Sequence, residues 1–163
     1  IMLMIVAFFE SIKYVGHLLP LAFLRIFVGY YFLAEALAKT QGDFLIQPRL
    51  AAEISEWLPQ SLAPLWYKSL VSDFVVEHWR VFAYSITYCE FLIAISFLIG
   101  FFVRPAALLG IFLSLNYIYT SNPVVADIHQ VFLALFVSML WMGAGRCLGF
   151  DYFFFKRQRG IWW

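Results

Sequence analysis

The sequence predicts an all-α fold of one domain: an integral membrane four-helix bundle with a short N-terminal interfacial helix and amphipathic helices in its outer loop. Three observations lead there. Of the 163 residues 64% are hydrophobic and 13% charged, against roughly 45–50% and about 25% in a soluble domain. Four apolar stretches have the length that a hydrocarbon core of about 30 Å demands. The charged residues are gathered mostly between those stretches, where a bilayer gives way to water.

Residues 1–16 open with an apolar run and then carry Glu10 and Lys13, the pattern of a helix lying in the inner interface. The run lacks a basic leader and a small-residue cleavage site and does not read as a secretory signal. The first span covers about residues 17–39. The outer loop, residues 40–78, is long for a connection without structure of its own. Within it Leu50, Ile54 and Leu58 recur at helical spacing, Pro59 and Pro64 interrupt, and residues 65–76 follow with Trp66, Tyr67, Leu70 and Phe74, so two short amphipathic helices are expected. The second span covers about 79–103. The third, 105–121, begins at Pro105, which suits a first helical turn, and is the shortest. Asn122-Pro123 breaks the chain, and the fourth span covers about 124–145. A tail, 146–163, mixes aromatics with basic residues.

Lysine and arginine near the span ends set the orientation. With the N-terminus inside, the cytoplasmic face receives Lys13, Arg104, Arg146, Lys156, Arg157 and Arg159. The outer face receives Lys39, Arg49, Lys68 and Arg80, offset by Asp43, Glu53, Glu56, Asp73 and Glu77. Both termini are therefore expected on the cytoplasmic side of the cell's inner membrane, with 103–105 as a tight hairpin. Arg104, Arg146, Lys156, Arg157, Trp162 and Trp163 are the expected anchors to headgroups or to a partner. A net charge of +1 excludes the basic face of a nucleic-acid binder. The two cysteines, Cys89 and Cys147, fall about 20 Å apart at roughly 1.5 Å per residue, too far for a disulfide.

Ionisable groups inside a span cost at least a few kcal/mol and usually face the protein interior. Arg25 on the first span and Glu90 on the second lie about 12 Å and 20 Å above the inner surface at helical rise, and an interhelical Arg25–Glu90 ion pair is expected; such a pair more often fixes helix register than performs chemistry. Nearer the outer ends a second layer collects Glu35 and Lys39, Tyr84, Thr87 and Tyr88, Asn116 and Tyr117, and Asp127, His129 and Gln130. That layer has the groups for a quinone headgroup or another small polar–apolar ligand, with Glu35, Lys39, Tyr84, Asn116 and His129 as its core. Equally, it reads as interfacial residues bonded to one another and to water. His129 is chemically able to ligate a haem or chlorin metal, but no second intramembrane histidine offers an axial partner. No cofactor is expected; a quinone or a bound lipid is the candidate occupant.

Several short pieces in order carry a resemblance: Leu24-Arg25 with Gly29, Lys39 closing the first span, Pro64-Leu65-Trp66-Tyr67, Glu90, the stretch from Gly100 to Ala107 with Arg104-Pro105, then Gly143-Ala144-Gly145-Arg146 and Gly149-Phe150-Asp151. Over roughly residues 17–155 the chain resembles the DoxX family, including the small DoxD-type subunit of thiosulfate:quinone oxidoreductase. The resemblance implies a four-helix membrane fold, with Arg25, Glu90, Arg104 and Asp151 as family-type polar positions. Cys89 departs from the small residue expected before the glutamate. The resemblance implies varied roles, from quinone-linked sulfur oxidation to partnership with redox enzymes, and does not transfer a reaction.

The function expected is a membrane subunit, not catalytic on its own, surrounded by lipid and by other integral membrane subunits of a redox or energy-transducing complex. The alternative is a quinone-interacting small subunit of a thiosulfate:quinone-type oxidoreductase.

Overall fold

The structure, a computed structural model, describes Glu10 and residues 13–157, apart from the side chain of Lys156. Four long helices dominate: α1 (Leu19–Gln41), then, after the outer loop, α4 (Trp79–Ile99), α5 (Val103–Thr120) and α6 (Pro123–Met142). The loop carries α2 (Arg49–Trp57) and α3 (Leu65–Leu70), and α3 runs on through a π turn at Val71–Val75. A last helix, α7 (Asp151–Arg157), follows α6. Among the described residues there is no strand. Three helical stretches are long and apolar enough to cross a membrane: Lys13–Gln41, Trp79–Ile99 and Pro123–Met142.

Residues 13–18 thus extend the helix of the first span at its N-terminal end. The remainder of the expected interfacial helix, and Trp162 and Trp163, lie outside the described residues.

Each long helix buries one stripe. On α1 it is Ala22, Arg25, Val28, Gly29, Phe32 and Ala36, and on α4 Ala83, Thr87, Glu90, Ile93, Ala94 and Phe97, both at the three-and-four spacing of one helix face. The opposite faces leave Phe23, Phe27, Tyr30, Leu92, Phe112, Val131 and Trp141 exposed, a surface whose solvent is lipid. α1 packs on α4, α4 on α5, α5 on α6, and α6 returns to α1. At the centre Phe32 and Phe97 both present edges to Phe136, with ring centroids 5.5 Å apart in each case, an arrangement favoured by the ring quadrupoles.

Small residues set the helix spacing, as they do where lipid supplies no hydrophobic drive between helices. A Cβ on Gly29 would come 3.0 Å from Phe97 Cβ and 3.1 Å from the Leu98 nitrogen, so α1 and α4 meet almost backbone to backbone. The ring of Phe136 lies on Gly110 in the same manner, joining α6 to α5.

Turn chemistry ends each helix. α4 stops at Gly100 (φ 72°) and α6 at Gly143 (φ 67°), left-handed positions that glycine adopts without a Cβ penalty. The hairpin therefore turns over Gly100–Phe102, ahead of the expected 103–105, and Arg104-Pro105 falls in the first turn of α5. Asn122 caps α6, its side chain accepting from the Val125 N–H at 3.0 Å, with Pro123 in the first turn.

Replacing Gly29 by Leu should force α1 and α4 apart and lower stability by about 1–3 kcal/mol, the usual weight of overpacking. Thermal unfolding in detergent measures it, with Leu92→Ala on the lipid-facing side expected to change little.

Candidate functional site: a buried lysine–glutamate–tyrosine cluster beneath the outer helices

Glu90, on the buried stripe of α4, is 2% exposed. A carboxylate so enclosed needs a partner charge and donors. Lys39, on the last turns of α1, donates to Glu90 Oε1 as a salt bridge and to the Tyr117 hydroxyl at 2.7 Å. Tyr117, from α5, in turn donates to Glu90 Oε1 at 2.7 Å. On α6, His129 stacks on the Tyr117 ring, centroids 4.3 Å apart and planes at 20°, and its Nδ1 lies 3.3 Å from the Ser114 hydroxyl. Four helices thus meet in one polar knot. Glu90 Oε2 is buried and has no hydrogen-bond partner among the described residues.

Two adjoining clefts open against this knot. One, of about 150 Å³, is lined by Tyr31, Glu35, Lys39, Glu90, Tyr117 and His129 among others. The second, of about 140 Å³, runs under α2 and the π turn and is mostly apolar, with Tyr67 and Asn116 in its lining. Tyr67 donates to Asn116 Oδ1 at 2.7 Å, tying α3 of the outer loop to α5; burial pushes its phenol above the usual range.

The expected Arg25–Glu90 pair does not form. A helical side chain leans toward its own N-terminus, and α1 and α4 run antiparallel, so Arg25 and Glu90 lean away from each other. By the same rule Lys39 and Glu90 lean together. Arg25 instead donates to three main-chain carbonyls beyond α6: Ala144 at 2.9 Å, Cys147 at 3.2 Å and Leu148 at 2.7 Å. A cation belongs at a helix C-terminus, where carbonyls lack partners and the dipole is negative.

Of the expected outer cluster, Glu35, Lys39 and His129 line the first cleft and Asn116 the second. Tyr84 is not with them. It falls off the stripe Ala83–Thr87–Glu90, is 42% exposed, and stacks on Tyr88 along the outer face of α4. Among the expected anchors, Arg146 covers the Phe155 ring at 4.1 Å, Arg104 lies beside Gly143, and Arg157 is exposed.

Asp151 has a role that spacing alone does not reveal. It is 1% exposed and accepts from the N–H groups of Phe102 at 2.8 Å and Val103 at 3.2 Å, capping α5 from the far end of the chain. Burial pushes its carboxyl above the usual range, and the two amides, Arg25 and Arg104 pull it part of the way back. Nor does spacing alone reveal Lys39 as the partner of Glu90; the direction of lean along α1 carries that signal. Among the described residues no three His, Cys, Asp or Glu side chains gather as metal ligands would.

Apolar helices of spanning length around a buried, charge-bearing knot define a helical membrane protein. A family model described as DoxX matches residues 20–123, and the chain belongs to the DoxX family. The match takes in Arg25, Lys39, Glu90, Arg104 and Tyr117; His129 and Asp151 lie beyond it. No curated protein and no solved structure matches the chain.

Removing one member of a buried ion pair costs about 3–5 kcal/mol, whereas replacing both by apolar groups is often neutral. Lys39→Met should therefore destabilise the protein by that amount, and Lys39→Met with Glu90→Met should recover most of it. Unfolding of the two single variants and the double variant in detergent closes the cycle.

Proposed function

We propose that this DoxX protein is a small membrane subunit that holds the headgroup of a quinone-class ligand in the cleft beside Glu90, within a larger redox assembly whose other subunits supply the electrons. The observation that carries the reading is Glu90 Oε2, an acceptor shut away from solvent beside a cleft and left without a donor. A buried acceptor in that state costs about 1–3 kcal/mol, which a ligand hydroxyl offsets.

The rest of the cleft suits the same chemistry. Lys39 has three N–H donors, two of them spent on Glu90 and Tyr117, which leaves one for a ligand carbonyl. His129 and Tyr117 offer a flat aromatic stack for a ring, and Glu35 lies at the open side. A head whose oxygens accept when oxidised and donate when reduced finds both partners in this one place.

On this reading α5 also crosses the membrane, as the third of four spans, and the chain's two ends lie in the cytoplasm. What supports that orientation is the shared end of the molecule: the start of α1, the Gly100–Phe102 turn and the segment after α6 meet through Arg25 and Asp151, and the basic excess lies there.

The test is binding of a benzoquinone ring without a side chain, reduced and oxidised, to the protein in lipid nanodiscs. Wild type should bind both forms. Glu90→Gln should weaken the reduced form by about tenfold, the value of one lost hydrogen bond to a charged group, and His129→Ala should weaken both. Tyr84→Phe should leave both unchanged. Equal binding to wild type and Glu90→Gln would remove the reading.

A further inference from the structure

The two clefts adjoin. They share Lys39, Phe44, Glu53, Tyr117 and Ser121 as common walls, so the mostly apolar cleft begins where the polar one at Glu90 ends. The walls of the latter include Ile54, Val71, Phe82, Ile86, Phe112 and Leu113. They run from fully enclosed to exposed: Ile54 and Val71 are 3% exposed, Leu113 is 4%, and Phe112 is 63%. Phe112 belongs to the outward face of α5, the face that lipid covers. The apolar cleft therefore leads from the buried polar knot to the side of the helix cluster.

The helices explain why an opening exists there. α5 packs along α6 far more closely than along α4. Gly110 lets Phe136 close the first contact, whereas the outer part of the second is spanned by α2, which touches both α4 and α5. Leu50 and Ile54 of α2, with Val71 of the π turn, turn their apolar side down onto Ala83 of α4. The outer loop is thereby a roof. It covers the cleft from the loop side, with the exposed Glu53 in the lining, and leaves the Phe112 side toward lipid.

We propose that the apolar cleft seats a flexible hydrocarbon or prenyl chain carried by the ligand whose oxygen-bearing head lies at Glu90, and that the ligand arrives sideways from the bilayer between α4 and α5. This rests on the headgroup site proposed above and names the class of molecule it takes: an amphipathic, lipid-dissolved one, not a water-soluble ring. The shared wall gives the geometry: from a head at Glu90, a chain that passes Tyr117 meets the apolar lining that runs to Phe112.

Two measurements test it, both on the full chain in nanodiscs. The first compares the chain-free benzoquinone with the same ring bearing a decyl chain, in wild type and in Ile86→Trp, which fills the cleft at a half-buried position away from Glu90. Ile86→Trp should weaken the decyl probe by about tenfold, the scale of overpacking a fitted space, and leave the chain-free ring within about twofold of wild type. The second uses a decyl probe with a photoreactive group at the chain end on the unaltered protein, so it does not depend on the variant folding. Its crosslinks should fall on the segments carrying Phe112 and Phe82. Equal weakening of both probes by Ile86→Trp, or crosslinks spread over α6 and the tail, overturns the chain site while the headgroup site stands. Failure of wild type to bind either probe overturns both.

Discussion

A carboxylate enclosed among four helices has to be neutralised where it stands, because neither water nor lipid can do it. Glu90 is in that position, and the arrangement of the outer half of the protein follows from it. The cation must come from a helix antiparallel to α4, at a height from which a long side chain leans down to meet one leaning up. Lys39 meets both conditions. Once it does, the Tyr117 hydroxyl has to accept from the lysine and donate to the carboxylate, which fixes α5, and the imidazole of His129 lies against the tyrosine ring, which brings in α6. The pair need not add much net stability over a well-packed apolar core. Its effect is on register: slide α1 or α4 by one turn, about 5.4 Å, and a buried charge is stranded.

The opposite end is held by different means. Arg25 gathers carbonyls left open beyond α6, and Asp151 gathers amides left open at the start of α5. Neither is an ion pair in the strict sense, yet both answer the same requirement, that backbone groups at helix ends find partners when water is scarce. Between the two ends the contacts are apolar and close, with Gly29 and Gly110 admitting Phe97 and Phe136. Charge is thus confined to two layers, and the aromatic layer separates them.

Much of this was legible beforehand. Apolar runs and the breaks at Pro105 and Asn122-Pro123 located the long helices to within a few residues, since length and turn chemistry are local properties; the ends at Gly100 and Gly143 fall short of the expected span limits. The spacing of Leu50, Ile54 and Leu58 marked the roof helix for the same reason. The polar residues of the outer layer were identifiable from depth, because height along a helix is simple arithmetic. Rotation about the helix axis was harder. Tyr84 has the height of the cluster but lies off the stripe that buries Ala83 and Thr87. Arg25 and Glu90 do not pair because height carries no direction, and antiparallel helices make direction decisive. Asp151 lay beyond either kind of reasoning. A cap delivered across nearly fifty residues leaves no periodic trace, and only the fold brings it to Phe102.

That cap bears on the order in which the protein can be finished. The α4–α5 hairpin is made from residues that leave the ribosome well before residue 151, so until then the first amides of α5 face a membrane interface with nothing of the chain's own to bond them. The hairpin can insert, but its inner turn, with Phe102 in a left-handed conformation, is locked only when the segment after α6 folds back and the carboxylate docks. A helix synthesised later therefore acts as the latch of an earlier one, and a ribosome that stopped short of it would leave the earlier helices in place with this corner still loose.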